Sequence, residues 1–416
     1  MKIEVETVKG FQDYLPPESL KREAVRKIIE KNYKLHGFLP IETPTIEFDE
    51  LMRSETPNEE DEAISDRFRL NDRAGRNLGL RYEFTFQLAR IFKQNPNIKL
   101  PFRRYQIGQV FRDEPIGAGR FREFTQCDAD IVGDSSIDAD AECLLLVKDI
   151  LNDLRIKSEI QINNRKLLKA VIESVQITDL KNVMRELDKM DKLGADEVKS
   201  NLRKYADPNQ IVTLFKLLEK GLPFFLENAF EGAAELADLI EKCEEYGIKE
   251  IKLNPFLVRG FGYYTGNVFE VKIAGEKNTI AGGGRYDNTI GKYLLKPIPA
   301  VGISFGLDRV AQLANIPVET TRAMLISIDK DRYMMKLAKL IRKEGISCLT
   351  TSEKIGKAME LANSLGIQKV VFIGDAEISQ KKYKLRDMKT GEEKLLSESR
   401  LINALKKYPS SLLSHN

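Results

Sequence analysis

From Tyr105 to Arg112 apolar and polar residues alternate with the two-residue period of a strand. The alternation resumes from Phe121 to Val132, beyond a turn at Gly117 and Gly119, so the two segments predict a hairpin. Upstream, Leu20, Val25, Ile28 and Ile29 recur at helical spacing and predict a helix from Glu18 to Leu35. Pro40 to Phe48 reads as one extended strand, since Pro44 keeps the residue before it out of helix. A second hairpin is expected between Arg67 and Thr85, turning at Asp72 to Gly75. Glu83 and Thr85 alternate with Phe84 and would face one side of its strand end, before a helix from Phe86 to Lys93.

Between about 165 and 245 the strand signals vanish. Leu180 to Asp191, Glu197 to Tyr205, Asn209 to Leu218 and Ala233 to Tyr246 carry helical spacing, which predicts an inserted helical subdomain. Strands return at Ile251 to Arg259, Gly266 to Ile273, Ile280 to Asp287 and from Ala300 to the start of a helix at Arg309. From Ala323 the pattern becomes strand, helix, strand, helix, with a hairpin at Lys382 to Gly391 and a closing helix from Glu398 to Lys407. The fold class is therefore α/β in the broad sense (α+β): residues 1–320 with the insertion at about 165–245, then a small α/β domain over 321–416.

Composition narrows the chemistry. A chain of 416 residues can bury two or three cores. No stretch reaches the roughly 18 apolar residues of a membrane span, and the opening Met1 to Thr7 is charged rather than signal-like, so a cytoplasmic location is expected. The 66 basic and 63 acidic side chains nearly cancel, so any nucleic-acid contact has to come from local patches. Cys127, Cys143, Cys243 and Cys348 lie far apart with no histidine near them, which reads as buried free thiols rather than a zinc site. His36 and His415 are the only histidines, too few for a Ser-His-Asp relay or two-histidine metal chemistry.

The residues that carry chemistry are mostly arginines. Arg112 and Arg120 are expected on paired strands around one glycine turn with Arg122 close by, able to grip phosphates with forked hydrogen bonds, and Phe124 beside Arg120 offers a flat face for a purine; a solvated hairpin is the alternative. Gln126 and Asp130 are an even number of strand residues apart and point the same way. Arg259 is the odd charge in an apolar run and needs an anionic partner, either a structural carboxylate or a ligand. Gly282, Gly283 and Gly284 interrupt a strand, which costs stability unless a ligand or backbone comes close. Lys369, Lys381, Lys382, Lys384, Arg386 and Lys389 make a basic edge near the C-terminus.

Phe111-Arg-Asp-Glu-Pro followed by Gly119-Arg-Phe-Arg-Glu-Phe-Thr-Gln-Cys-Asp-Ala-Asp130 resembles motif 2 of the class II aminoacyl-tRNA synthetases in its histidyl-tRNA synthetase form. Gly302-Ile-Ser-Phe-Gly-Leu-Asp-Arg309 resembles motif 3. Leu257 to Glu270 and Ala281-Gly-Gly-Gly-Arg-Tyr-Asp287 resemble the two histidine-specific signatures. The resemblance implies an antiparallel-sheet catalytic core, a dimer interface at the Glu18–Leu35 helix and Pro40–Phe48 strand, which resemble motif 1, and an anticodon-binding C-terminal domain. It implies that ATP, accompanied by Mg2+ held mainly through its phosphates, is contacted by Arg112, Glu114, Arg120, Phe124 and Arg309. It implies that L-histidine is held by Glu83, Phe84, Thr85, Arg112, Gln126, Asp130, Arg259, Tyr263, Tyr264 and Tyr286, with Arg112, Arg259 and Arg309 catalytic. The partners implied are tRNA(His) and a second copy of the chain. Phe261-Gly262 departs from the family's usual Leu-Asp before the two tyrosines, so roles of that aspartate do not carry over. The rival reading is a catalytically silent, histidine-binding regulatory paralogue of histidine biosynthesis; an ATP grip at Arg259 and Arg309 and a C-terminal domain speak against it.

Overall fold

The computed structural model describes residues 5–52, 66–117, 119–260, 262–275, 279–294 and 296–407. Phe261, His415 and the first four residues, all weighed above, lie outside them. The chain divides into two compact units: residues 25–315 with the segment ending at Asp13, and residues from 316 onward with Tyr14–Ala24.

In the first unit the strands are β1 (Leu39–Pro40), β2 (Ile46–Phe48), β3 (Arg69–Asn71), β4 (Asn77–Leu80), β5 (Phe102–Phe111), β6 (Glu123–Val132), β7 (Ser158–Asn164), β8 (Ile251–Leu253), β9 (Asn267–Ile273), β10 (Thr279–Arg285) and β11 (Ala300–Gly306). Eight of them form one sheet in the order β1-β5-β6-β11-β10-β9-β7-β8, antiparallel except at its two outermost pairs. β2, β4 and β3 make a separate small sheet. The predicted hairpin stands next to the β1 edge of the large sheet: β5 and β6 pair over ten residues, from Phe102 opposite Val132 to Phe111 opposite Glu123.

One face of the sheet is covered by the helix Ile137–Asp153, whose Ala141, Leu144, Val147 and Leu151 are buried. The sequence pattern did not single out this helix, because apolar residues run almost all round it and blur the helical period. The segment 165–245 is helical, from Arg165–Ser174 to Ala233–Glu245. Asn164 caps the first of these helices by accepting from the backbone N–H of Lys166 (2.9 Å) and Leu167 (3.4 Å). The expected Leu180–Asp191 helix is two pieces, Leu180–Leu187 and Met190–Leu193.

Four strand expectations need correction. Pro40–Phe48 is broken into β1 and β2, as a chain bearing Pro44 in its middle cannot continue a ladder. β8 stops at Leu253, leaving Arg259 on an irregular segment. β4 stops at Leu80, so Glu83 and Thr85 are not on a strand. Arg112 and Arg120 do not sit on paired strands: Arg112 follows the last residue of β5, and Arg120 belongs to the turn, bridged to Gly117.

The second unit holds β12 (Ala323–Ser327), β13 (Cys348–Thr351), β14 (Lys369–Ile373), β15 (Lys382–Asp387) and β16 (Glu393–Ser397), in the order β13-β12-β14-β15-β16. The first three are parallel, linked through helices Asp331–Lys343 and Ile355–Ser364, and β15 and β16 close the sheet as a hairpin. Fully buried Ala323, Leu325, Val371 and Ile373 pack against Leu337, Ile341 and Leu401 of the flanking helices. All four cysteines are free and buried.

Candidate active site

Strand register lays the site out as rows on one sheet face. Opposed residues of neighbouring strands share a face, and the face repeats every second residue. Gln106 of β5, Asp128 of β6, Ser304 of β11, Gly282 of β10 and Glu270 of β9 stand side by side. Two residues along, the row is Arg104, Asp130, Gly302 and Gly284; two residues the other way it is Gly108, Gln126 and Gly306. One face therefore carries Gln126, Asp128 and Asp130, and the glycines on it leave room above the sheet.

The glycines are filled by charged groups. A Cβ at Gly282 would lie 2.4 Å from Nη1 of Arg259, so that guanidinium rests on the strand where a side chain would be. A Cβ at Gly302 would lie 2.0 Å from Oδ1 of Asp130. Arg259 is tied by Nη1 to Glu270 Oε1 at 3.2 Å. Burial works to lower its pKa, but Tyr264, Glu270 and Asp188 together hold it above the usual value. Asp188 comes from the helical segment, where burial lifts its carboxyl to about 6.

Arg112 is positioned by two rings and a strand neighbour. Its guanidinium lies 4.4 Å over Tyr82 and 5.1 Å over Phe124, and Nη2 donates to Gln126 Oε1 at 3.4 Å. Phe124, expected beside Arg120, thus already stacks with Arg112 on one face. Gln126 in turn donates from Nε2 to Asp128 (3.0 Å) and Ser304 Oγ (2.9 Å). Tyr82 donates to Glu114 Oε1 at 2.8 Å, which puts Glu114 beside the same arginine.

Arg309, in the first turn of helix Leu307–Leu313, donates from Nη1 to Thr279 O at 2.7 Å. Its pKa is lowered first by burial and then by Arg120, and Gly119 of the same turn lies against it. Arg120 is exposed and makes no ion pair among the described residues. Two cations held near each other in this way favour an anion between them.

On the other side of Gln126 lies a buried acidic and phenolic group. Glu83 Oε1 accepts from Phe86 N at 2.6 Å, capping the helix Phe86–Gln94. Burial raises its pKa to about 7, against the hydrogen bonds from Thr85 and Phe86. Thr85, also buried, stands next to it in the loop, and Phe84 is fully buried with Arg81 5.0 Å from its ring. Tyr263 packs 4.8 Å from Tyr264 and 5.7 Å from Tyr286. Tyr286 donates to Asp130 Oδ1, and Arg104 Nη2 pairs with Asp130 Oδ2 at 2.6 Å. Burial raises Asp130 to about 6, and Arg104 opposes that rise. Asp128 is raised too, first by burial.

Two participants escaped the sequence reading. Asp128 had a signal, since it shares the strand face of Gln126 and Asp130. Arg104 had none, because in the pattern it is one more polar residue in a Phe-Arg-Arg-Tyr run. Arg285, in the Gly-rich segment, turns away from this group: it is buried against Asp140 and the backbone carbonyls of Asp134 (2.9 Å) and Ser136 (2.8 Å). In the second unit, Lys369 leaves the proposed basic edge, being buried and paired with Asp387.

The architecture recurs in solved proteins. Histidyl-tRNA synthetase from Nostoc sp. PCC 7120 superposes with a TM-score of 0.85 at 27% identity, covering 98% of this chain and 100% of that one. A Bacillus halodurans protein described as an ATP phosphoribosyltransferase regulatory subunit/histidyl-tRNA synthetase has a TM-score of 0.75 at 21% identity, over 89% and 99%, and shares the fold. The sheet, its long hairpin and the arginine-bearing helix after β11 are those of a class II aminoacyl-tRNA synthetase core. The family model for histidyl-tRNA synthetase matches residues 10–310, and that for an anticodon binding domain matches 312–408. A curated Bacillus cereus relative, histidine–tRNA ligase 1, is 37% identical over 94% of this chain and 95% of its own length. The chain belongs to the histidyl-tRNA synthetase family.

Proposed function

We infer that this chain activates L-histidine with ATP, forming histidyl-adenylate and pyrophosphate, and then transfers histidine to tRNA(His). The observation that carries the reading is the sheet face just described: Arg112 and Arg259 flank Gln126, Asp128 and Ser304, with Asp130 in the adjoining row. Histidine's carboxylate is ionised at neutral pH, so it attacks the α-phosphorus with no general base. One oxygen–phosphorus bond forms, the bond to the β-phosphate oxygen breaks, and pyrophosphate leaves with the electron pair.

What the protein supplies is placement and opposite charge. Arg112 and Arg259 would neutralise the crowded α-phosphate, and Arg309 with Arg120 the departing pyrophosphate, each contribution being worth roughly 2.7–4 kcal/mol by analogy with other preorganised oxyanion donors. Phe124, on the face Arg112 leaves open, and Glu114 belong to the ATP side. Glu83, Thr85 and Gln126 would hold the α-ammonium, and Asp130 the imidazole N–H, with Phe84, Tyr263, Tyr264 and Tyr286 enclosing the ring. Mg2+ would come with ATP and supply positive charge that offsets the phosphates.

We read residues 1–320 as the catalytic domain, with the helical segment 165–245 toward the tRNA acceptor arm, and 321–416 as the anticodon domain. A homodimer is favoured by Ile46 and Phe48 of β2 and Leu70 of β3, apolar side chains left 48%, 48% and 38% exposed. No helix among the described residues is long and apolar enough to cross a membrane, and a cytoplasmic site fits translation. The silent regulatory alternative calls for neither a phosphate-gripping Arg309 nor the anticodon binding domain whose family model matches residues 312–408. Arg259→Ala should fold with unchanged circular dichroism yet lose histidine-dependent ATP/pyrophosphate exchange by about two orders of magnitude or more; a folded, active variant would remove Arg259 from the mechanism.

A further inference from the structure

Asp130 is held from three sides by groups on different elements. Gly302 on β11 leaves the space for its carboxylate, Tyr286 after β10 donates to Oδ1, and Arg104, its register partner on β5, pairs with Oδ2 at 2.6 Å. Arg104 is 0% exposed. Apart from the pair with Asp130, its nitrogens find no hydrogen-bond acceptor among the described residues. A buried guanidinium with idle donors is an expensive choice, since an apolar pair of the same shape would serve packing at least as well.

We propose that Arg104 is a positioning and specificity-determining residue: it keeps Asp130 as an anionic acceptor for the substrate's imidazole, and so carries part of the selection for histidine. The inference rests on the proposed function and deepens it. Among the described residues the charged and titratable groups around Asp130 are Arg104, Asp128, Glu83 and Tyr286, with Tyr33 of helix Glu18–Leu35 and Cys143 of helix Ile137–Asp153. Of these only Arg104 is cationic. Without it, burial and the like charge of Asp128 both push Asp130 toward its neutral acid, which can donate its proton but offers imidazole a far weaker acceptor. An amino acid of similar size with no ring N–H gains nothing from the anion, so the selection lies in the charge.

The full-length Arg104→Met and Arg104→Gln variants are compared with the wild type in histidine-dependent ATP/pyrophosphate exchange, between about pH 5.5 and 8.5. In Arg104→Met the KM for histidine should rise roughly tenfold near neutral pH while the KM for ATP stays put. The pH of half-maximal kcat/KM for histidine should move up by about one unit or more. Glu83 and the substrate's own imidazole titrate in the same range in every variant, so the displacement from wild type is the readout. Arg104→Lys, which restores the charge, should bring the midpoint back. A folded Arg104→Met with wild-type KM and midpoint overturns the proposal, as does an Arg104→Lys impaired equally with Arg104→Met. Should Arg104→Met fail to fold, Arg104→Gln, which keeps N–H donors without charge, decides by the same two readouts. Wild-type protein without histidine-dependent exchange would sink the proposed function itself, whereas active wild type with unmoved variants would sink only the role of Arg104.

Discussion

Arg104, Arg259 and Arg285 show how little a residue type says before its neighbours are known. Arg285 spends its donors on Asp140 and two backbone carbonyls and fixes the helix Ile137–Asp153 to the sheet. Arg259 pairs with Glu270 and lies over Gly282, and among the described residues Arg104 pairs only with Asp130. His36 is a further titratable residue with two carboxylate partners. Its Nδ1 is 2.9 Å from Glu142 and its Nε2 3.1 Å from Asp149, and these partners raise its pKa above the ordinary 6.5 despite burial. A raised folded-state pKa contributes stability that is complete below the unfolded value and fades as pH rises through the folded one. The urea midpoint of the wild type should therefore exceed that of His36→Gln by more at about pH 6 than at about pH 8.5. An equal gap at both pH values would mean that the imidazolium adds nothing. In the sequence Arg112 stands out by its motif, Asp130 by strand parity with Gln126, and Arg259 as the odd charge in an apolar run. Arg104 does not, because its meaning comes from a register partner 26 positions away.

At the scale of elements, long periodic segments were readable and short or broken ones were not. The β5–β6 hairpin and the β12–β16 unit follow directly from alternation and from strand–helix succession. β8, reduced to Ile251–Leu253, and the loop carrying Glu83 and Thr85 were misjudged, because tertiary contacts rather than local period set where a strand stops. For Glu83 the contact is the cap it forms on the helix from Phe86. The small β2-β4-β3 sheet matters for assembly: on β2, Glu47 is buried while Ile46 and Phe48 face out. If this face meets a second copy, Phe48→Lys should shift the sedimentation coefficient from dimer toward monomer and lower exchange activity with it. A variant that stays dimeric would place the contact elsewhere.

At the scale of the whole molecule, one chain carries both a sheet that gathers arginines on one face and a separate α/β unit matched by an anticodon-binding model. Neither feature depends on net charge, which is only +3. What sets this chain apart from a nucleotide-binding sheet of general use is the acidic, tyrosine-walled group next to the arginines, where burial raises Glu83 to about 7 and Asp130 to about 6 and Arg104 opposes the rise at Asp130. Such a group rewards a ligand that brings an ammonium and an N–H donor together. The most direct test is ATP/pyrophosphate exchange by purified protein with each of the standard amino acids in turn. Exchange with histidine and with no other amino acid is the expected result. Exchange driven by a different amino acid, or by none, would contradict the assignment of this sheet face.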